Sequence, residues 1–437
     1  MAQFRNTADI LDSILRRAGE VTNGNSAYEA DVLEYLNRVH HTTLAGGSIF
    51  NMDVDEAWTW AHSKSPIILE LQPAYESGTV SVTNASVAAT FSSAPTLSYE
   101  GWYLRVDQDA EVYKIKQHTA GQAAMKLDSN YVGTTAAGKI FKAMKLDYEL
   151  VPAHITINST NNKIDFEETA ASELTATLTV GVYTPAGLAT EVDTQLTSAG
   201  ASAYTITYSA TTRKFTLTSD LGGGGGTFKL LNASGTNATT SAMGELGFDI
   251  EDAATAATHT GLYCLGGISR LIEPFRLQRA SLEESQVYGI DKIRFEEEWP
   301  AHKVGQSLPT EFTRLEEDQD GRITIRFNSY PNELRRVEVN YIPVPRDLKD
   351  NAVSRPALPR KDIDMLEYGA AFFILLDKED SKADVYGNLA KQGLQSMQKR
   401  NRNELRKIDG RFGEIVARPE YELKNLRRIR YGYTAGN

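Results

Sequence analysis

The chain of 437 residues has a single cysteine, Cys264. No disulfide can form within it, and a cluster of thiolate metal ligands is excluded. Reduced thiol chemistry fits a cytoplasmic site of assembly. No run of eighteen apolar residues exists, so no membrane span is read, and a membrane is not among the expected partners. Residues Met1 to Gly19 carry charges throughout and have no apolar core segment, which argues against a signal peptide. Enzyme signatures are missing as well. The seven histidines (His40, His41, His62, His118, His154, His259, His302) show no H-E-x-x-H spacing. His40 and His41 are adjacent on a helix, where side chains point apart. There is no Gly-x-Ser-x-Gly elbow. Gly222 to Gly226 lack the Lys-Ser/Thr pair of a phosphate loop; Thr227-Phe228-Lys229-Leu230 follows instead, so a hairpin tip is expected.

What is present is patterned. Thr7 caps an expected helix bearing Ile10, Leu11, Ile14, Leu15 and Ala18, and Gly19 stops it. A second helix opens on the capping box Ser26-Ala27-Tyr28-Glu29 and carries Val32, Leu33, Leu36 and Val39. Asp53 to His62, with Trp58 and Trp60, reads as a short helix or an aromatic loop, and Ile67 to Leu71 as a strand. From Gly78 to Met144, five segments alternate apolar and polar residues between turns. These are Gly78–Thr83, Glu100–Val106, Val112–Ile115, Ala124–Leu127 and Lys139–Met144. Five short strands with tight turns predict a small β-barrel.

From His154 to Leu262 the composition shifts to Thr, Ser, Ala and Gly. Four basic residues stand against eleven acidic ones, a balance of −7 within a chain whose net charge is −11. Short strands surround an expected helix at Pro185 to Ala199, with Leu188, Val192 and Leu196 at helical spacing. The segment reads as an inserted α+β domain projecting from the rest, and Gly247-Phe248-Asp249 with Tyr183-Thr184 resembles small inserted domains of phage structural proteins. Next come a helix start at Ser281 to Glu284 and strands at Lys292–Trp299, Gly321–Phe327 and Arg335–Ile342. Pro343, Pro345, Pro356 and Pro359 mark a linker. Two long helices follow, the first near Asp362–Leu376, apolar all round and so buried, the second near Ser381–Lys407. The predicted class is α+β: a helical frame from the N- and C-terminal helices with antiparallel strands, a small β-barrel and the inserted domain. The expected divisions are 1–75, 76–150, 151–262, 263–410 and an extended arm at 411–437.

Three clusters invite chemistry. Asp107, Asp109 and Glu111 alternate like calcium ligands but lack the glycine and flanking helices of an EF-hand, so a solvated turn is expected. Glu296-Glu297-Glu298 beside Trp299 needs a second carboxylate to act on a glycoside, and a solvated strand face is favoured. Tyr99, Trp102 and Tyr103 suit sugar stacking and core packing equally. No catalytic residue, metal ligand or cofactor is assigned. The charge feature with a functional reading is the tail. From Arg400 to Asn437, ten basic residues stand against five acidic. Arg411, Phe412, Arg418, Tyr421, Leu423, Leu426, Arg427, Arg428, Ile429, Arg430, Tyr431 and Tyr433 mix the side chains that anchor protein interfaces. Nucleic-acid contact and a disordered solvated tail compete with docking.

The order of these segments resembles the head-to-tail adaptor, or tail tubular protein, of tailed bacteriophages. The resemblance rests on Tyr75 with Gly78-Thr79-Val80-Ser81-Val82, Gly101-Trp102 and Asp147-Tyr148-Glu149-Leu150. It rests also on Val337-Glu338-Val339-Asn340-Tyr341 with Pro343, Ala357-Leu358-Pro359 and Tyr368-Gly369-Ala370-Ala371. It covers roughly residues 1–150 and 265–410; the insertion departs from the simplest members. It implies a structural virion protein at the neck, assembled in the host bacterial cytoplasm. Its partners would be the portal ring, a downstream tail or nozzle protein and copies of itself in a dodecameric ring. DNA would pass through the lumen without sequence-specific binding, and the tail would dock on the portal. The rival expectations are a distal tail-tube protein, and a tail component that binds or cleaves carbohydrate.

Overall fold

The computed structural model describes residues 5–19, 26–54, 58–61, 63, 66–107, 109, 111–168, 172–223, 228–278, 285–300, 303–318 and 320–411, with backbone alone at 26, 27, 222, 223 and 403–411. The chain is mixed α+β, with six α-helices among the described residues: α1 (Thr7–Arg17), α2 (Ser26–Ala45), α3 (Pro185–Ala199), α4 (Lys292–Glu298), α5 (Ile363–Asp377) and α6 (Ala383–Arg411). It divides into two compact units, Met1–His62 with Pro345–Asn437, and Ser63–Val344. The strand-bearing residues before Pro345 therefore belong to the same unit as the barrel.

The first unit is helical. Its core combines Ile10, Leu11, Ile14 and Leu15 of α1 with Val32, Leu36 and Val39 of α2, Leu366, Ala370 and Ile374 of α5, and Leu394 and Met397 of α6. The cap of α1 is one residue earlier than expected. Asn6 accepts from the Asp9 amide at 2.8 Å while the Asp9 carboxylate accepts from the Asn6 amide, a reciprocal box. Thr7 is inside the helix, and its hydroxyl is committed to Ser354 Oγ at 2.9 Å. After α2 comes a hairpin, Gly47–Ile49 with Met52–Val54. Its two turn residues, Phe50 and Asn51, sit at φ 53° and 56°, the left-handed pair a tight hairpin needs. Trp58 is fully buried, and its indole N–H donates to the Thr43 carbonyl at 2.6 Å. Residues 59–61 form a turn, so no helix is found in the described part of 53–62.

The second unit holds three β regions. The barrel has seven antiparallel strands rather than five. Their order is Phe141–Met144, Tyr103–Val106, Val112–His118, Ala124–Leu127, Ala88–Phe91, Val80–Val82, Ala136–Lys139. The sequence reading missed Ala88–Phe91 and ran the last two strands together. They are separated at Ile140, and being the two ends of the sheet they nearly close it. Alternate residues fill the inside: Val80, Val82, Phe91, Leu104, Val106, Tyr113, Ile115, Met125, Leu127 and Phe141. Tyr99 and Trp102 pack in that core edge to face, 4.7 Å apart.

The second seven-stranded sheet runs Asp147–Glu149, Ile323–Phe327, Glu311–Glu317, Ser285–Gly289, Ile268–Gln278, Arg335–Pro343, Ile67–Leu71. One pair, Ser285–Gly289 with Glu311–Glu317, is parallel. The turn at Asp320-Gly321 needs glycine, since Gly321 has φ +71° and a Cβ would meet the Ile268 backbone at 2.7 Å. The expected strand at Lys292–Trp299 is instead α4. Asp291 accepts from the amides of Ile293 and Arg294, and Arg294 pairs with Glu298 at 2.7 Å one turn on. The helix start expected at Ser281 to Glu284 lies outside the described residues, and Ser285–Gly289 directly after it is a strand.

The third region spans residues 155–260. Helix α3 is capped by Thr184 and buries Leu188, Val192 and Leu196. It packs with three small sheets: Ile155–Ile157 with Gly181–Tyr183; Glu173–Thr177, Lys163–Glu168 and Phe228–Leu230; Tyr204–Ser209, Lys214–Ser219 and Thr258–Thr260. Phe166, Phe215, Phe228, Met243 and Phe248 complete one shared core. Gly247, at φ +76°, passes so close to the Tyr263 carbonyl that a Cβ would collide with it.

Candidate functional site

The expected docking arm grows from α6. Arg411 is the last residue of that helix; Phe412, Arg418, Tyr421, Leu423, Leu426, Arg427, Arg428, Ile429, Arg430, Tyr431 and Tyr433 lie outside the described residues. The root of the arm is held firmly. Arg400 on α6 pairs with Asp362, whose carboxylate is 4% exposed. One helical position on, the Asn401 side-chain oxygen accepts from the Thr59 amide at 3.0 Å.

Beneath that root, α5 carries one buried acid in an apolar run. Glu367 is fully buried. Its carboxylate accepts from Arg5, from Ser13 Oγ at 2.8 Å and from Arg17 Nη2 at 3.1 Å. Three donors offset the cost of burying the charge, and both cations come from the first seventeen residues. Burial pushes the Arg17 guanidinium down, but Glu367 and Tyr368 more than restore it, leaving it above its ordinary value. Its plane also lies 4.9 Å from the Tyr368 ring centre. Outside this anchor is an open depression of about 510 Å³ lined by Arg5, Asp9, Asp12, Ser13, Arg16 and Arg17. Its alternating charges suit a polar protein contact.

In the second unit two ion-pair centres join the β regions. Asp147 accepts from Tyr103 Oη at 2.7 Å and Lys114 Nζ at 3.1 Å, both from the barrel, and from Arg326 Nε of the neighbouring sheet at 2.7 Å. Burial raises its pKa, yet the Arg326 guanidinium, Tyr103 and Lys114 hold it below the usual carboxylate value. Burial also raises the Tyr103 phenol, and Asp147 raises it further. The other centre is Arg213, whose side chain is 1% exposed. It reaches out of the third region, donating to the Leu150 carbonyl at 3.0 Å and to Glu149. Beside it, Cys264 donates to the Asp320 carbonyl at 3.1 Å, and burial pushes its thiol up. This thiol is therefore a poor nucleophile.

The remaining sequence candidates separate in space or in role. Asp109 accepts from Tyr131 Oη, and Asp107 is a left-handed turn residue at φ 47°. Glu296 to Glu298 are exposed on α4, with Glu298 paired to Arg294. The Trp299 indole donates to Glu311 at 2.8 Å. The rings of His40 and His41 are 5.8 Å apart between centres and have different partners. His40 is buried and accepts from the Ala357 amide at 3.1 Å, while His41 faces Asp347 at 3.2 Å. Burial, with a smaller contribution from His41, pushes His40 down to about 3. Among the described residues no three His, Cys, Asp or Glu side chains are grouped to hold a metal ion, and no helix is long and apolar enough to cross a membrane.

Sequence reasoning missed Glu367, Asp147 and Arg213. Two carried a signal. Glu367 is a carboxylate in the middle of the apolar stretch Ile363 to Leu375, and Arg213 is the only arginine between His154 and Leu262. Neither signal names the partner. No protein-family model matches the chain, and no curated protein matches it.

Proposed function

We propose that the protein is a structural virion component that forms the head-to-tail adaptor ring between the capsid portal and the tail. The observation that carries the reading is the first unit. It is built from both ends of the chain, and its last helix, rooted by Arg400–Asp362 and Asn401, runs directly into the Arg- and Tyr-bearing arm. A firmly held root followed in sequence by a run of Arg, Tyr and apolar anchor residues suits a protein that clasps a neighbour. In this reading the arm from Arg411 onward docks on the portal ring. Copies of the chain assemble side by side, as a dodecamer by resemblance, DNA passes through the lumen, and a tail or nozzle protein binds below. The carbohydrate alternative loses its stacking platform, since Tyr99 and Trp102 are spent on the barrel core. Electron microscopy of the particle tests the proposal. Density for this chain directly beneath the portal is expected. Density along the distal tail would replace the adaptor with a tube protein.

A further inference from the structure

The charged residues of the barrel are sorted by sign. Its seven strands contain Arg105, Lys114, Lys116, Lys126, Lys139 and Lys142, and not one Asp or Glu. The acids of residues 76–150 sit in the turns or on the strand Asp147–Glu149 of the next sheet. Five of the six cations share the outer wall. Arg105 lies between the core residues Leu104 and Val106, Lys142 between Phe141 and Ala143, Lys126 between Met125 and Leu127, and Lys114 and Lys116 flank Ile115. Side chains alternate across a strand, so all five point away from the core. Their four strands are neighbours in the sheet, and Arg105 stands directly opposite Lys142.

Like charges opposed in register repel, and turn or edge acids relieve only part of this. Lys142 reaches Glu76 at 2.7 Å and Lys114 reaches Asp147 at 3.1 Å. Among the described residues Arg105, Lys116 and Lys126 have no carboxylate partner, and the Arg105 Nε–H is buried without an acceptor. Lys116 and Lys126 are exposed. Three steps between strands, at about 4.8 Å each, spread this wall over about 14 Å. That is the rise of about four phosphates along one strand of duplex DNA.

We propose that this outer wall of the barrel is a contact surface for the phosphate backbone of DNA, independent of sequence. The choice of DNA among polyanions rests on the adaptor reading and adds to it the surface that faces the passing duplex. Phosphates would compete with Glu76 for Lys142 and meet Arg105, Lys116 and Lys126, while Lys114 stays paired with Asp147 where the barrel joins the next sheet. The surface is assigned to the phosphate backbone, which carries no sequence information.

The test uses the full-length chain and a fluorescent 20-base-pair duplex of arbitrary sequence, titrated at several sodium chloride concentrations. Three to four phosphate contacts give a log–log salt slope of about −2.7 to −3.6. The double variant K116E/K126E, both positions exposed, should bind at least about tenfold more weakly at low salt, with a slope about 2 shallower. Unchanged circular dichroism would show that folding is intact. K163E on the acidic region should leave binding as it was. Equal affinity of wild type and K116E/K126E overturns the inference. So does capture of polyglutamate by the same lysines without DNA affinity, which would mark the wall as a site for an acidic protein. The outcome is separable from the adaptor reading. A chain found beneath the portal without affinity for DNA sinks only the inference, and a DNA-binding chain found elsewhere in the particle sinks only the reading.

Discussion

The barrel and the region 155–260 are both built from short antiparallel strands, yet they differ in charge and in closure. The barrel is one sheet curled on itself, with cations on its wall. The other region is three small sheets gathered by α3, with a net charge of −7 over His154–Leu262. Each has its own core, and no residue is shared between them. Each is fastened to the intervening sheet in part through a buried ion: Asp147 of that sheet receives the barrel, and Arg213 of the third region enters it. A strand-rich chain can therefore carry two surfaces of opposite sign if each has a separate core and a polar fastening.

The strongest way to break that comparison is to empty one core. Phe166→Ala, at a fully buried position, should cost the region 155–260 about 3–5 kcal/mol. Hydrogen exchange should then show protection lost there and kept in the barrel strands; loss in both would mean one cooperative core. A smaller effect is expected from Arg213→Ala. It strips the Leu150 carbonyl of its donor and leaves a void, costing about 2–3 kcal/mol by denaturant unfolding, with the region still folded but less firmly attached. An undiminished midpoint would show that the fastening lies elsewhere.

Asp147→Asn probes the barrel's fastening and should cost about 2 kcal/mol at pH 7. Its pKa lies below the unfolded value near 4, so its contribution is whole above about pH 5 and disappears as pH falls through the folded pKa. The variant should be less stable at neutral pH and lose part of the acid-induced drop. A parallel, downshifted curve would contradict this. The smallest effect at pH 7, about 1 kcal/mol, is expected for His40→Gln in the helical unit, and it sharpens the comparison by leaving both β regions alone. Folded His40 stays neutral down to about 3, whereas the unfolded side chain protonates near 6.5. Between those values the unfolded state binds the extra proton, so stability falls by roughly 1.4 kcal/mol per unit of pH lost. The variant should lack that slope. Retention of the full slope would assign it to other groups.

Local pattern was legible and distant pairing was not. The apolar period of Ile10, Leu11, Ile14 and Leu15 gave α1, and the alternation around Ile115 and Met125 gave barrel strands, because burial repeats with the period of the backbone. Helix α4 was misread because Phe295 is its only fully buried side chain, too few to set a period, while Asp291 supplied the deciding cap. The break at Ile140 was hidden for a similar reason: the residue is 68% exposed inside an otherwise alternating run. The ion centres were beyond reach. Glu367 and Arg5 are separated by 362 positions, and no spacing rule links them. The candidate arm was legible as a run of charge and aromatics, but composition names no binding partner.

The near-closure of the barrel at Ile140 bears on what happens when such molecules are crowded. An open sheet offers its outermost strand as a template on which another chain can grow. Here the first and last strands follow one another in the chain, and the free side of Phe141–Met144 is taken up by Tyr75, which exchanges two backbone hydrogen bonds with Ala143 at 2.8 and 2.9 Å. The opposite margin, Ala136–Lys139, is four residues long and is interrupted by Gly138 at φ +71°. A polypeptide rich in Val, Thr and Ala is thereby denied a long regular border for strand exchange. Copies can be held at high local concentration with little risk of zipping into fibres or swapping segments.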